Sequence, residues 1–223
     1  MGSDMNMGIE QARFNMIEQQ IRPWEVLDPA VLELLSLVRR EQFVPAESRA
    51  LAFADVELPL PNGTCMLCPK VEARLLQEAG VKKTDSVLEI GAGSGYMAAL
   101  LAAQAEYVTT VDIDPELVSL AKTNVARAGV ANVTVEQGDA INGWAAKAPY
   151  DVIVVSGSVP ALPQALLQQL KVGGRLVGIV GELPVMSAQL VTRTGEATFN
   201  MVNLFETVVA PLKNAVKPKQ FVF

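Results

Sequence analysis

The 223-residue sequence contains no histidine, and that absence excludes a good deal of chemistry. No Ser-His-Asp or Cys-His triad, no HExxH zinc helix and no imidazole proton shuttle can be built from it. Cysteine is scarce: Cys65 and Cys68 are the 2 present, too few for a disulfide framework. Positive charge is short, with 18 Lys plus Arg against 24 Asp plus Glu and a formal charge of -6. Without a Lys/Arg stripe, that balance argues against a nucleic-acid partner. No apolar run approaches the roughly 18 residues of a membrane span. The polar start MGSDMNMG lacks the basic and apolar regions of a signal peptide. The expected setting is the cytoplasm, with no membrane partner; the sequence carries no signal of oligomeric state. Aromatics make up only 5%, so Trp24 and Trp144 are expected to serve as packing anchors.

What is present is apolar material enough for a core: 50% of residues are hydrophobic and 19% charged, the balance of a globular chain. The part up to about Gly80 predicts helices and a loop. Met16, Ile17 and Ile21 fall at helical spacing, and Asp28 can cap a helix that has Pro29 at its first position and Val31, Leu32, Leu34, Leu35 and Val38 as its stripe. From Phe43 to Pro69 prolines punctuate a long connection, in which Asp55 is placed to order the loop. Beyond Gly80 strands alternate with helices. Strands are predicted over 86–90, 107–111, 133–136, 151–155 and 175–180, and helices over 96–103, 116–128 and 163–170, with a turn at Gly173-Gly174. Continuous apolar strands such as VIVV predict a parallel sheet covered on both faces. Segments 188–193 and 200–209, joined by a turn at Thr194-Gly195, should pair antiparallel at one edge.

The strongest local signal is VLEIGAGSGY, a strand running through Glu89 into Gly91, Ala92, Gly93, Ser94 and Gly95 and then a helix. Glycines let the backbone approach a ligand, and the helix start offers free amides. Asp112 closes the next strand about twenty residues on, where a carboxylate accepts from both hydroxyls of a ribose. Asp139 follows the third strand, where it can accept from the exocyclic amine of adenine. A dinucleotide loop wants glycine or alanine where this chain has Tyr96 or Met97, and no GKS or GKT follows. Tyr96 is expected to begin the helix and pack over the glycine loop.

GxGxG with Glu89 two residues ahead resembles motif I of S-adenosylmethionine-dependent methyltransferases. From about residue 15 to residue 212 the chain further resembles the protein-L-isoaspartate O-methyltransferase family, in NMIEQQIRPWEVLDPAVLELLSLVRREQFVP, AFADVELPL, VLEIGAGSGYMAALLA and LPQALLQQLKVGGRLVGIVG. The resemblance implies an α/β Rossmann-like methyltransferase fold: a mostly parallel seven-stranded sheet with an antiparallel edge and an N-terminal helical segment. Residues 1–80 would carry the helices and substrate loop of the same domain, 81–212 the S-adenosylmethionine-binding core and 213–223 a tail. It implies that Gly91 to Gly95 admit the methionine end, with Glu89 ahead of them. Asp112 with Ile113 would hold ribose, and Gly138, Asp139 and Ala140 would border adenine.

The implied substrate loop is Asn62, Gly63, Thr64, Cys65, Met66, Leu67, Cys68 and Pro69. Where the family reads GQTIS, Cys65 stands for threonine and Leu67 for serine, so Leu67 is expected to make the pocket drier and less able to orient a carboxylate. The segment Ser156 to Pro160 departs as well. The spacing Cys65-x-x-Cys68 fits a reversible disulfide or half a zinc site. With no histidine and no third cysteine, packing within the loop is the expectation and no metal site is assigned.

Three readings follow. The first is transfer of a methyl group to isoaspartyl carboxylates in damaged proteins. It suits a site without histidine, because a carboxylate nucleophile is already ionised and needs no general base. The second is a methyltransferase of the same fold acting on another acceptor, a small molecule included, because of Leu67. The third is a non-catalytic cofactor-binding protein. No catalytic residue is assigned.

Overall fold

The computed structural model describes residues 2–215. Helix α1 (Gly2–Met16) runs into a π-helical turn, Ile17–Ile21, whose two isoleucines are buried. The start to which the sequence assigned no structure is therefore helical. Asp28 caps α2 (Pro29–Leu37) as expected, its carboxylate accepting from the Ala30 amide at 2.8 Å. Of the predicted stripe, Val31 and Leu35 are fully inside, while Leu32, Leu34 and Val38 pack at its margin.

The proline-rich connection is ordered by a two-stranded ribbon, β1 (Leu58–Pro59) against β2 (Cys65–Met66), antiparallel. Between them Asn62 and Gly63 take left-handed conformations, φ 58° and 72°, the geometry a tight reversal needs. Helix α3 (Pro69–Ala79) follows and stops at Gly80.

The remainder forms β3 (Ser86–Ile90), α4 (Tyr96–Ala102), β4 (Tyr107–Asp112), α5 (Pro115–Arg127), β5 (Val133–Gln137), β6 (Tyr150–Val159), α6 (Gln164–Leu167), β7 (Leu170–Glu182), β8 (Val185–Arg193) and β9 (Phe199–Thr207). The seven strands from β3 onward lie in the order β5-β4-β3-β6-β7-β8-β9. Pairs from β5 to β7 are parallel, and β7-β8 and β8-β9 are antiparallel. This is the expected mixed sheet.

Val152, Ile153, Val154 and Val155 are all fully buried. Alternate members join opposite cores: Val152 and Val154 face the N-terminal helices, α3 and α4, while Ile153 and Val155 face α6 and the segment around Tyr150. A strand buried on both faces has no need for polar alternation, which is why it reads as an apolar run. Burial of each such side chain stabilises by about 1.5–3 kcal/mol.

The helix predicted over 163–170 shortens to Gln164–Leu167, because Leu170 already starts β7 and pairs with Tyr150. The expected Gly173-Gly174 turn lies within that strand. Gly174 is required for space: a Cβ there would sit 2.9 Å from the Lys171 carbonyl and 3.0 Å from that of Asp151. The last strand ends at Thr207, earlier than expected, and the chain then turns back to β6. There the Ser158 amide donates to the Ala210 carbonyl and the Leu212 amide to the Ser158 carbonyl, at 3.0 and 2.9 Å. The KPKQFVF segment lies outside the described residues.

Trp24 packs edge-on against Phe205, and Trp144 lies at the margin of the α6 core, its carbonyl accepting from the Tyr150 hydroxyl. No helix among the described residues is long and apolar enough to cross a membrane.

Candidate functional site

The strand order reverses at β3, whose neighbours are β4 on one side and β6 on the other. At such a reversal the loops leaving adjacent strands diverge and open a crevice at the carboxyl ends. Here that crevice is a cavity of about 320 Å³.

Gly91 and Gly93 form one wall of the cavity, and Gly93 has φ 50°. A Cβ on Gly93 would meet Leu60 at 3.4 Å, an ordinary contact, so Leu60 borders this space without filling it. Asp112 ends β4 and is itself oriented by the loop: its Oδ2 accepts from the Gly93 amide and its Oδ1 from the Asp114 amide, each at 3.0 Å. Each carboxylate oxygen has a second lone pair, so Asp112 can still accept from a ligand. Asp139, just past the end of the neighbouring β5, accepts from the Ile141 amide at 3.1 Å and from the Asn214 side chain at 3.1 Å. Ile113, Gly138 and Ala140 lie in the same lining. Two carboxylates thus face an apolar slot contributed by Ile90, Val111, Leu117 and Ile141.

The loop residues Asn62, Gly63, Thr64 and Cys65 reach the cavity. Asn62 is tied down there, its side-chain amide donating to Asp114 at 2.9 Å and to Glu116 at 3.1 Å. Lys213 takes the same Asp114 carboxylate from the other side at 2.9 Å, which holds Asp114 below the usual carboxylate range. Asn62, Asp114 and Lys213 therefore clasp the 62–65 loop to the C-terminal segment beside the cavity.

The other implied residues sit elsewhere. Met66, Leu67, Cys68 and Pro69 are not part of the lining, and Met66, Leu67 and Pro69 are buried in the core. The extended backbone ends at Met66 and the chain turns into α3 at Pro69, which sends the Leu67 side chain inward while its carbonyl accepts from Arg40 at 2.7 Å. The expectation that Leu67 dries the site is therefore corrected. Ala92, Ser94 and Gly95 back the loop from behind: Ala92 packs on Val118 and Ala121, the Ser94 carbonyl accepts from Asn124, and Gly95 abuts Ala121.

Cys65 borders the cavity, but burial and the neighbouring Glu57 carboxylate push its thiol up to about 12, and burial raises Cys68 as well. Both shifts disfavour the thiolate on which a redox or metal role depends. Asp55 orders the loop through an ion pair with Lys70 at 2.5 Å. Tyr96 begins α4, stacks obliquely on Phe43 and lies under the Arg40 guanidinium.

Glu89 is fully buried beneath the loop. Its carboxyl accepts from Thr110 Oγ1 at 2.6 Å and from Ser156 Oγ at 2.8 Å, and burial pushes it up to about 8. Ser156 is presented by an irregularity in β6. Val154 pairs with Val177 and Ser158 with Ile179, so β6 carries two residues more than β7 across this stretch. Bulges re-aim side chains next to sites, and this one places Ser156 and Gly157 in the lining.

Ala210, Pro211, Leu212 and Lys213 also form part of the wall. They carry no motif, and only the end of the family resemblance at residue 212 pointed toward them.

The sequence profile of the protein-L-isoaspartate(D-aspartate) O-methyltransferase family matches residues 11–217. A protein-L-isoaspartate O-methyltransferase of Rhodopseudomonas palustris is 40% identical over 201 residues, which cover 90% of this chain and 92% of the relative. One from Koribacter versatilis is 38% identical over 205 residues, 92% of each chain. Among solved structures, a Plasmodium falciparum chain described as a protein-L-isoaspartate O-methyltransferase in complex with S-adenosyl-L-homocysteine superposes with a TM-score of 0.75 at 18% identity. It covers 92% of this chain and 97% of its own. A further protein-L-isoaspartate O-methyltransferase gives 0.80 at 24% identity, over 94% of this chain and 67% of its own. These two likenesses bear on the fold.

Proposed function

Because the chain belongs to the protein-L-isoaspartate O-methyltransferase family, we propose that it transfers a methyl group from S-adenosylmethionine to isoaspartyl carboxylates of damaged proteins. The observation that carries the site assignment is the convergence of Gly91, Gly93, Asp112 and Asp139 on one cavity at the strand reversal. The donor set fits the cofactor: two carboxylates for the hydroxyls and amine of a nucleoside, an apolar slot for its base, and a glycine turn that admits the methionine end. When bound, the cofactor supplies an electrophilic methyl on sulfur.

The chain supplies position. Asp112 and Asp139 fix the nucleoside, and the clasped loop Asn62–Cys65 closes the acceptor side. The apolar wall excludes water, so that an already ionised acceptor oxygen meets the methyl in line. Residues 81–212 are proposed as the cofactor core, with the 1–80 segment part of the same unit. The partner is a protein or peptide. The two free thiols are in keeping with the proposed cytoplasmic setting.

A peptide containing isoaspartate, incubated with methyl-labelled cofactor, is expected to gain a base-labile label that the normal aspartyl peptide does not. Equal labelling of the two, or none, sinks this reading.

Leu67 offers no ground for a different acceptor, since its side chain is 6% exposed and packed in the core. Leu67→Ser is expected to lose about 2–5 kcal/mol, as other large-to-small core changes do, and to leave acceptor choice unaltered. Urea unfolding alongside the peptide assay checks both halves. A stable variant with a new acceptor preference would reinstate the altered-acceptor reading.

A further inference from the structure

Beneath the cavity, and outside the contacts assigned so far, lies a buried acid with no basic partner among its hydrogen bonds. Glu89 is 0% exposed. From β4 it meets the Thr110 hydroxyl and, across space, the Asp112 carboxylate; from β6 it meets the Ser156 hydroxyl; from α3 it feels Glu72. Glu72 is itself matched by Arg40. One oxygen of Glu89 thus accepts from Ser156, itself a residue of the cavity lining.

A carboxylate buried in this way, with carboxylates as its charged surroundings, is costly when the cavity holds nothing positive. A cation placed above it reverses that balance. The methyl donor is a sulfonium cation and the product it leaves is a neutral thioether, so the two ligands differ in charge at the reacting atom.

We propose that Glu89, acting through Ser156, makes the cavity select the cationic donor over the neutral product. Glu89 is protonated in the ligand-free protein, gives its proton to bulk solvent when the cation binds, and takes one back once the neutral product remains. This rests on the reading of the cavity as the methyl-donor site. Glu89 is a positioning residue in this scheme: it touches neither acceptor nor methyl, and the transfer step itself needs no proton. Burial holds its carboxyl near 8, so the protonated form dominates at neutral pH; a cation that lowers that value by one unit strengthens binding about twofold at pH 7 and roughly tenfold near pH 9.

The test is calorimetric binding of S-adenosylmethionine and S-adenosylhomocysteine between pH 6.5 and 9, in buffers of different ionisation enthalpy. The wild type is expected to release more protons on binding the donor than on binding the product. Glu89→Gln, close in shape to the protonated acid, is expected to abolish that difference and to cut the donor-to-product affinity ratio by roughly tenfold near pH 9 and only about twofold at pH 7. Ser156→Ala, which removes one donor to the carboxylate, is expected to reduce the ratio in part and serves where Glu89→Gln does not fold. Equal proton release for the two ligands in the wild type, or equal weakening of both by Glu89→Gln, overturns the proposal while the methyl-donor site stands. Failure of both ligands to bind the wild type overturns both.

Discussion

Arg40→Met is expected to lower folding stability by about 3–5 kcal/mol, read as a fall in the urea midpoint at unchanged slope. Arg40 is 1% exposed and uses its guanidinium in four directions. It donates to the Ala52 carbonyl at 3.0 Å and the Leu67 carbonyl at 2.7 Å, pairs with Glu72, and lies 5.2 Å over the Tyr96 ring. Burial already pushes the Glu72 carboxyl up to about 7 against the pull of Arg40. Removing Arg40 leaves an acid and two carbonyls in the core without their donor. The whole stability of a domain is about 5–15 kcal/mol, so a large share goes with one side chain.

Adding Glu72→Leu should recover part of the loss, since a buried pair replaced by apolar groups is often tolerated. The carbonyls of Ala52 and Leu67 stay unmatched, and recovery should be incomplete. Full recovery in the double variant would show that the carbonyl contacts contribute nothing.

The second large effect falls on the ligand. Asp112→Asn is expected to weaken S-adenosylhomocysteine binding at least a hundredfold while the circular dichroism spectrum is kept. Both carboxylate oxygens of Asp112 accept backbone amides, one from Gly93 and one from Asp114. An asparagine has one acceptor oxygen, so its NH2 must face one of those N–H groups. Hydrogen bonds to a charged group contribute about 1.5–3 kcal/mol each; losing one of the two loop contacts together with the charge offered to the hydroxyls of the proposed ligand reaches a hundredfold. A dissociation constant within threefold of wild type would remove Asp112 from the site.

Much of this was legible from residue order. The strand-to-helix alternation located the sheet because a doubly covered strand has to be apolar. VLEIGAGSGY, Asp112 and Asp139 located the cavity because parallel strands bring successive carboxyl ends to one rim. Less legible were contributions that depend on where a side chain turns or how far a strand extends. Leu67 stands in the substrate loop by sequence, but it leaves the loop face when the backbone turns into α3.

Arg40 reads as one of a basic pair, Arg39-Arg40, and nothing local shows that one of them is almost completely buried. Ser156 was noted as a departure, but its aim depends on the β6 bulge, which is a property of pairing with β7. The 210–213 segment reaches the site only because β9 ends at Thr207 and the chain returns to Ser158.

That return has a consequence for synthesis. During synthesis the glycine turn, Asp112 and Asp139 emerge before the 210–213 segment that completes the cavity wall. A small molecule in this cavity therefore meets its full set of contacts only late in folding. At the proposed cofactor site, the full stabilisation by a ligand reaches only polypeptides in which residues 210–213 have been made and docked.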